Sequence, residues 1–201
     1  MPIEEAQAIQ HQRLTALRDT LTRVPLDHPA LTLEIGCGHG HFMAAYAEAH
    51  PDEHCIAIDI IKERLEKADR KTTRAGLQNV TWLRAAAEDL LEALPSGTRF
   101  TRNVLVLFPD PWPKRRHWKN RLIQGPFLSR LAQLCAPGCQ LCFRTDHAPY
   151  FEVAHEVVAA HPDWQLQPGA PWPFEQRTVF EARAPSFQSL VAVRAAPPSA
   201  E

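Results

Sequence analysis

Apolar residues follow two rhythms along this chain. Short runs that alternate or are almost wholly apolar, at 31–35, 54–58, 79–83, 103–108 and 140–144, predict five strands. Between them, longer stretches at 41–50, 60–75, 85–94, 123–135 and 147–160 predict helices, punctuated by Pro51, Gly76, Pro95 and Pro137-Gly138. Ahead of the first strand, Ile9, Leu14, Leu17 and Leu21 mark an amphipathic helix over 3–23, ended by Pro25 and Pro29. Asp146 is placed to cap the helix after the fifth strand. Later strand candidates at 164–167, 178–183 and 189–194 have no helical crossovers between them. Strand and helix in alternation predict a Rossmann-like, doubly wound α/β fold. Its sheet is mostly parallel and seven-stranded, with an antiparallel edge strand and helices on both faces. The chain divides into an N-terminal helix and linker (1–30), one α/β domain (31–194) and a disordered tail (195–201).

Composition narrows the classes. At 201 residues, one domain with a sizeable core is expected. A formal net charge of −1 means that any nucleic-acid binding must come from a local patch. The N-terminus is polar and no apolar run approaches membrane-spanning length, so neither a signal peptide nor membrane attachment is expected. Five cysteines, an odd number, fit a reducing cytoplasm without disulfides. Cys135, Cys139 and Cys142 have the spacing of a radical iron–sulfur motif. However, 136–138 reads as a turn and 140–143 as a strand, which points residues 139 and 142 to opposite faces. His39 and His41 lack a third ligand of suitable spacing, and no metal site is expected.

The chemistry concentrates at strand ends, where open α/β sheets bind ligands. The first strand ends in Glu34-Ile-Gly-Cys-Gly-His-Gly40. Gly36, Gly38 and Gly40 let the backbone turn sharply and approach a ligand. Their G-x-G-x-G spacing departs from the dinucleotide fingerprint, and Glu34 would repel a pyrophosphate. A carboxylate there suits a cationic ligand such as the ammonium or sulfonium of S-adenosylmethionine, and an NAD-dependent dehydrogenase is disfavoured. Asp59 ends the second strand about 20 residues further on, the place of an acid that takes ribose hydroxyls.

The fourth strand runs into Phe108-Pro-Asp-Pro-Trp-Pro-Lys-Arg-Arg-His-Trp118. Three alternating prolines fix φ and remove donors, so neither helix nor sheet continues and a stiff loop results. It displays Asp110 and Trp112, then the cations Lys114, Arg115, Arg116, Lys119 and Arg121. An acid held rigidly beside a cation cluster at a strand end reads as a site.

With both loops in place, residues 31–181 resemble the tRNA (guanine-N7)-methyltransferase family. The most specific match is Phe108 to His117 with Lys119, Arg121 and Phe127. Arg144-Thr-Asp146 and Thr178-Val-Phe-Glu181 are further matches. The resemblance implies a Rossmann-like enzyme that uses S-adenosylmethionine to methylate N7 of a guanosine in the tRNA variable loop. It implies that Asp110 is the catalytic acid at the methyl-transfer point. Glu34, Gly36, Gly38, Gly40, Asp59, Ile60, Ala86 and Asp110 would line the cofactor site. Lys114, Arg115, Arg116, Asp146, Thr178 and Glu181 would contact substrate. The cations of the proline loop would neutralise RNA phosphates, and Trp112 would either stack on a base or pack against the loop. The family usually carries an Asp where Ala86 stands, so the adenine contact passes to backbone, Glu88 or Asp89. The partner implied is tRNA, for a cytoplasmic monomer or homodimer. Two other readings use the same fold: a methyltransferase acting on another RNA or a small molecule, and a non-catalytic RNA-binding paralogue.

Overall fold

The computed structural model describes residues 3–176 and 186–196. Helix α1 (Ile3–Leu21) leads to β1 (Leu31–Ile35), α2 (His41–Ala49), β2 (His54–Asp59), α3 (Lys62–Arg74), β3 (Val80–Arg84) and α4 (Ala87–Ala93). Then come β4 (Asn103–Leu107), a 3-10 turn (Arg115–Asn120), α5 (Gly125–Leu134), β5 (Gln140–Thr145), α6 (Ala148–Ala159), β6 (Trp164–Leu166) and β7 (Gln188–Arg194). The seven strands form one sheet in the order β3-β2-β1-β4-β5-β7-β6. Strands β1 to β5 pair in parallel, while β7 runs antiparallel to both β5 and β6. The antiparallel strand thus lies in the β5 margin of the sheet, one place in from short β6. The 178–183 strand candidate and most of the tail lie outside the described residues.

Alternation along the strands builds two cores. Leu33, Ile35, Ile56, Ile58, Val104, Val106, Leu141 and Phe143 face the side covered by α1, α4, α5 and α6. Cys55, Ala57, Leu105, Leu107 and Cys142 face the α2 and α3 side. In β1 that second face is polar, carrying Thr32 and Glu34. Thr32 is absorbed at the far end of the sheet, where its hydroxyl and that of Tyr46 both donate to Glu53, and Asn103 donates to Tyr46. Cys139 and Cys142 belong to opposite cores, and all five cysteines are buried and unpaired.

Most boundary shifts have local causes. Helix α3 starts at residue 62 rather than 60 because Asp59 Oδ1 accepts Ile61 N at 2.8 Å, with Ile61 extended. Pro126 sits in the first turn of α5 and leaves Ile123 buried ahead of it, its amide donating to Tyr150 Oη at 3.1 Å. His147, not Asp146, caps α6: its Nδ1 accepts Tyr150 N. The N-terminal helix is docked on α4 by Leu14, Leu17 and Leu21 and by Arg13 to Asp89 at 3.1 Å.

Candidate active site

The chain winds outward from β1 to β3, then returns to place β4 on the other side of β1. The crevice at this reversal is the binding place that the topology dictates. A cleft of about 640 Å³ opens there, lined by the β1 and β2 ends, the glycine loop, Ala85–Ala87 and the Phe108–Asp110 segment.

The glycine loop folds tightly. Gly36 N and Cys37 N both donate to Ile58 O at 2.9 Å, and Gly40 N closes back on Cys37 O. All three glycines have left-handed φ, and at Gly40 a Cβ would lie 2.5 Å from the Trp82 ring and 2.6 Å from Ala68. Gly40 therefore lets α2 start against α3, while Gly36 and Gly38 leave the cleft side open.

Glu34 is 3% exposed, and its Oε2 has no hydrogen-bond partner among the described residues. Burial, reinforced by the Asp59 carboxylate, raises its pKa to about 8. A buried, unpartnered carboxylate oxygen at a cleft wall is unfavourable unless a cation or donor completes it. The donor set therefore fits a ligand with an ammonium group. The Cys37 thiol beside it is pushed far upward by burial, Glu34 and Asp59, and stays a neutral liner.

Asp59 lines the cleft, yet its carboxylate already works within the protein. Oδ2 accepts Gly38 N at 2.9 Å and lies 3.6 Å from Arg64 Nη1, while Oδ1 holds Ile61 N. It braces the glycine loop and keeps lone pairs for ligand hydroxyls. Arg64 was not singled out by sequence, because it sits in an ordinary charged helix pattern. Ile60 is 64% exposed beside it, and Ala86 reaches the cleft at the start of α4. Asp89 does not replace the family's Asp, because it is committed to Arg13. Neither it nor Glu88 lines the cleft. His39 and His41 do line it; Lys71 approaches His41 at 3.1 Å.

Across the cleft, Phe108 ends the run of β4 with φ 49° while donating its amide to Arg144 O at 2.8 Å. Trp112 also has positive φ, 44°. Left-handed backbone costs about 1–2 kcal/mol at each such residue. The prolines and Arg121 hold it in place. Arg121 is 3% exposed; its Nε donates to Pro111 O at 2.9 Å and its guanidinium stacks on Trp118 and Tyr150 at 4.3 and 4.8 Å. It is a structural clasp and not a phosphate-neutralising cation, which corrects the expectation from the cation run. Asp110 is exposed at the cleft rim. Lys114, Arg115, Arg116 and Lys119 are exposed around the 3-10 turn, a helical turn the proline pattern did not predict. Trp112 packs edge-on against His117 at 5.9 Å, which favours the loop-packing role.

Strands β4 and β5 are neighbours, so Asp146 emerges beside the Asp110 loop. Asp146 is exposed and lies outside the cleft lining. Thr178 and Glu181 fall outside the described residues. The sequence passed over Arg144 as part of a motif, yet it is buried between Trp172 and Phe187. Among the described residues, no cluster suited to a metal ion occurs and no helix is long and apolar enough to cross a membrane.

This strand order, with one antiparallel strand, a glycine loop after β1 and an acid after β2, is the Rossmann-like architecture of class I methyltransferases. The chain belongs to the methyltransferase family described as "Putative methyltransferase", whose model matches residues 28–191. It is 41% identical over 132 residues to a tRNA (guanine-N(7)-)-methyltransferase of Nocardia farcinica, covering 66% of this chain and 49% of that protein. A protein of the same name from Syntrophotalea carbinolica is 40% identical over 129 residues, covering 64% and 54%. The chain thus spans about half the length of these curated relatives. Among solved structures, the 16S rRNA methyltransferase KamB matches with a TM-score of 0.60 at 23% identity, covering 84% of this chain and 89% of that one. That likeness is one of fold.

Proposed function

We propose that this chain is a cytoplasmic enzyme that transfers the methyl group of S-adenosylmethionine to N7 of a guanosine in the variable loop of tRNA. The observation that carries the reading is the pairing of the unpartnered Glu34 carboxylate with the Asp110 rim of the same cleft. The names of the relatives supply the substrate.

When bound, S-adenosylmethionine supplies an electrophilic methyl on a positively charged sulfur. Glu34 accepts the ammonium of its methionine part, Asp59 takes ribose hydroxyls, and Ile60 with the Ala86 backbone borders the adenine. Guanine N7 already holds an in-plane lone pair, so no general base is needed, and positioning and electrostatics carry the catalysis. Methyl transfer would leave the sulfur neutral and the base positively charged. Asp110 accepts hydrogen bonds from the N1 and N2 edge and favours the cation that develops. Lys114, Arg115 and Arg116 neutralise phosphates. Asp146, Thr178 and Glu181 complete the substrate contacts by family resemblance.

A second reading keeps the chemistry and changes the RNA, and the net charge of −1 favours it. The test is methyl transfer from labelled donor to bulk tRNA, then nucleoside analysis. The label is expected in 7-methylguanosine at a variable-loop position. Label in another nucleoside, or no label in tRNA while rRNA supplied in a parallel reaction is methylated, refutes the tRNA assignment.

A further inference from the structure

Three large apolar side chains are exposed among the described residues: Ile9, Ile60 and Phe187. Ile60 belongs to the cofactor cleft, and Ile9 is a lone surface residue of α1. Phe187 is different because it is open and yet held from two directions. Its ring meets Phe108 nearly edge-on, with centroids 5.9 Å apart and planes at 79°. Phe108 stands two residues before Asp110 and lines the cleft. From another direction, the Arg144 guanidinium lies 4.6 Å from the Phe187 centroid.

Arg144 cannot shift easily. It is 4% exposed, stacks on Trp172 at 4.0 Å, donates from Nε to Ser189 Oγ at 2.9 Å and reaches Glu175 at 3.3 Å. Its carbonyl also accepts Phe108 N. One buried residue thus fixes both the Phe187 ring and the start of the Asp110 loop. With these supports in place, 38% of Phe187 still faces solvent.

We propose that the open part of Phe187 is a stacking platform for the purine ring that receives the methyl group. The inference rests on the methyl-transfer reading of the cleft. A base presented for in-plane attack by N7 needs two kinds of contact. Asp110, an acceptor-only group when ionised, takes the hydrogen-bonding edge. That leaves rotation and tilt about the edge free, and an aromatic surface against the π face removes both. Unstacked bases are held on aromatic side chains in this way throughout RNA recognition. A purine covers more of such a ring than a pyrimidine does.

The test uses the purified full chain saturated with S-adenosylhomocysteine and titrated with 7-methylguanosine 5′-monophosphate up to millimolar concentration. Wild type is compared with Phe187→Ala, Phe187→Leu and Phe187→Trp. Both the Ala and Leu variants should weaken nucleotide binding by about tenfold or more. The Trp variant should stay within about threefold, because it keeps a π face, and the affinity for S-adenosylhomocysteine should be unchanged in all three. A Leu variant that binds like wild type overturns the platform, since apolar bulk would then suffice. So does an unaffected Ala variant, or a wild type that does not bind the nucleotide. A wild type that binds through Phe187 but leaves tRNA unmethylated retires the tRNA assignment and keeps the platform.

Discussion

Glu34 gives the sharpest test of the cleft. Raising a carboxyl from an ordinary value of 4.5 to about 8 corresponds to roughly 5 kcal/mol against its ionised form. The folded chain holds this proton more tightly than the unfolded chain. The stabilisation is therefore fully present below about pH 4.5 and is lost as pH rises toward 8. Glu34→Gln removes the titration but leaves a buried amide, so the pH trend is informative and the absolute stability is not. The melting temperature of the Gln variant relative to wild type should climb steadily from pH 5 to pH 8. The total change should be on the order of 10 °C for a chain of this size. A ligand ammonium that pairs with ionised Glu34 must displace the proton. Between pH 6 and 7.5 donor affinity should rise roughly 15-fold, the gain from ionising Glu34 being trimmed at the upper end as the α-amino group starts to titrate. Close to one proton should be released per molecule bound at pH 6. Calorimetry in buffers of different ionisation heat measures both. The other charged or titratable groups of this cleft are Asp59, Arg64, the rim carboxylate Asp110, and His39 and His41; burial and the nearby Lys71 and His39 hold the His41 pKa down, and neighbouring Cys37 stays protonated throughout the window. Flat affinity with no proton release, or a Gln variant whose melting follows wild type at every pH, would refute the reasoning.

Other perturbations separate the remaining parts. Asp110→Asn should lower methyl transfer by about 100-fold or more while donor binding by calorimetry stays within a few-fold; near-normal turnover would remove Asp110 from the chemistry. Reversing Arg115 and Arg116 to Glu should weaken RNA binding and reduce the slope of log affinity against log salt by about two. Arg121→Met should leave that slope unchanged but cost about 2–3 kcal/mol of stability in denaturant melts, since it opens the clasp on Pro111, Trp118 and Tyr150. Gly40→Ala forces a Cβ into Trp82 and Ala68 at left-handed φ, and should cost about 3 kcal/mol by the same measurement.

The alternation Leu31-Thr-Leu-Glu-Ile35 already encoded which face of β1 meets the larger core and which carries Glu34 toward the cleft. The fold class was legible, because strand–helix alternation means a mostly parallel sheet with helices on both faces. What was not legible depended on long-range neighbours. Arg121 and Arg116 look alike in a run of cations, yet Tyr150, far along the chain, takes only one of them indoors. Asp89 appeared free to replace an absent acid until Arg13 of α1 was found against it. His147 displaced Asp146 as the cap because the N-cap fell one residue later than the usual capping side chain suggests. Arg144 carried no periodic signal, since the rings that surround it come from beyond residue 170.

Strand β7 follows every other described element in sequence, yet it lies inside the sheet between β5 and β6. During synthesis, the parallel half of the sheet has all its strands before this one emerges. Until Gln188–Arg194 arrives, β5 presents an open edge, β6 has no neighbour, and Arg144 lacks both Phe187 and Ser189. Sheet closure and the assembly of the Asp110 rim are therefore a single late event. A nascent or clipped chain lacking β7 would be aggregation-prone along the β5 edge. It would keep the glycine-loop half of the cleft while losing the supports of its Asp110 half.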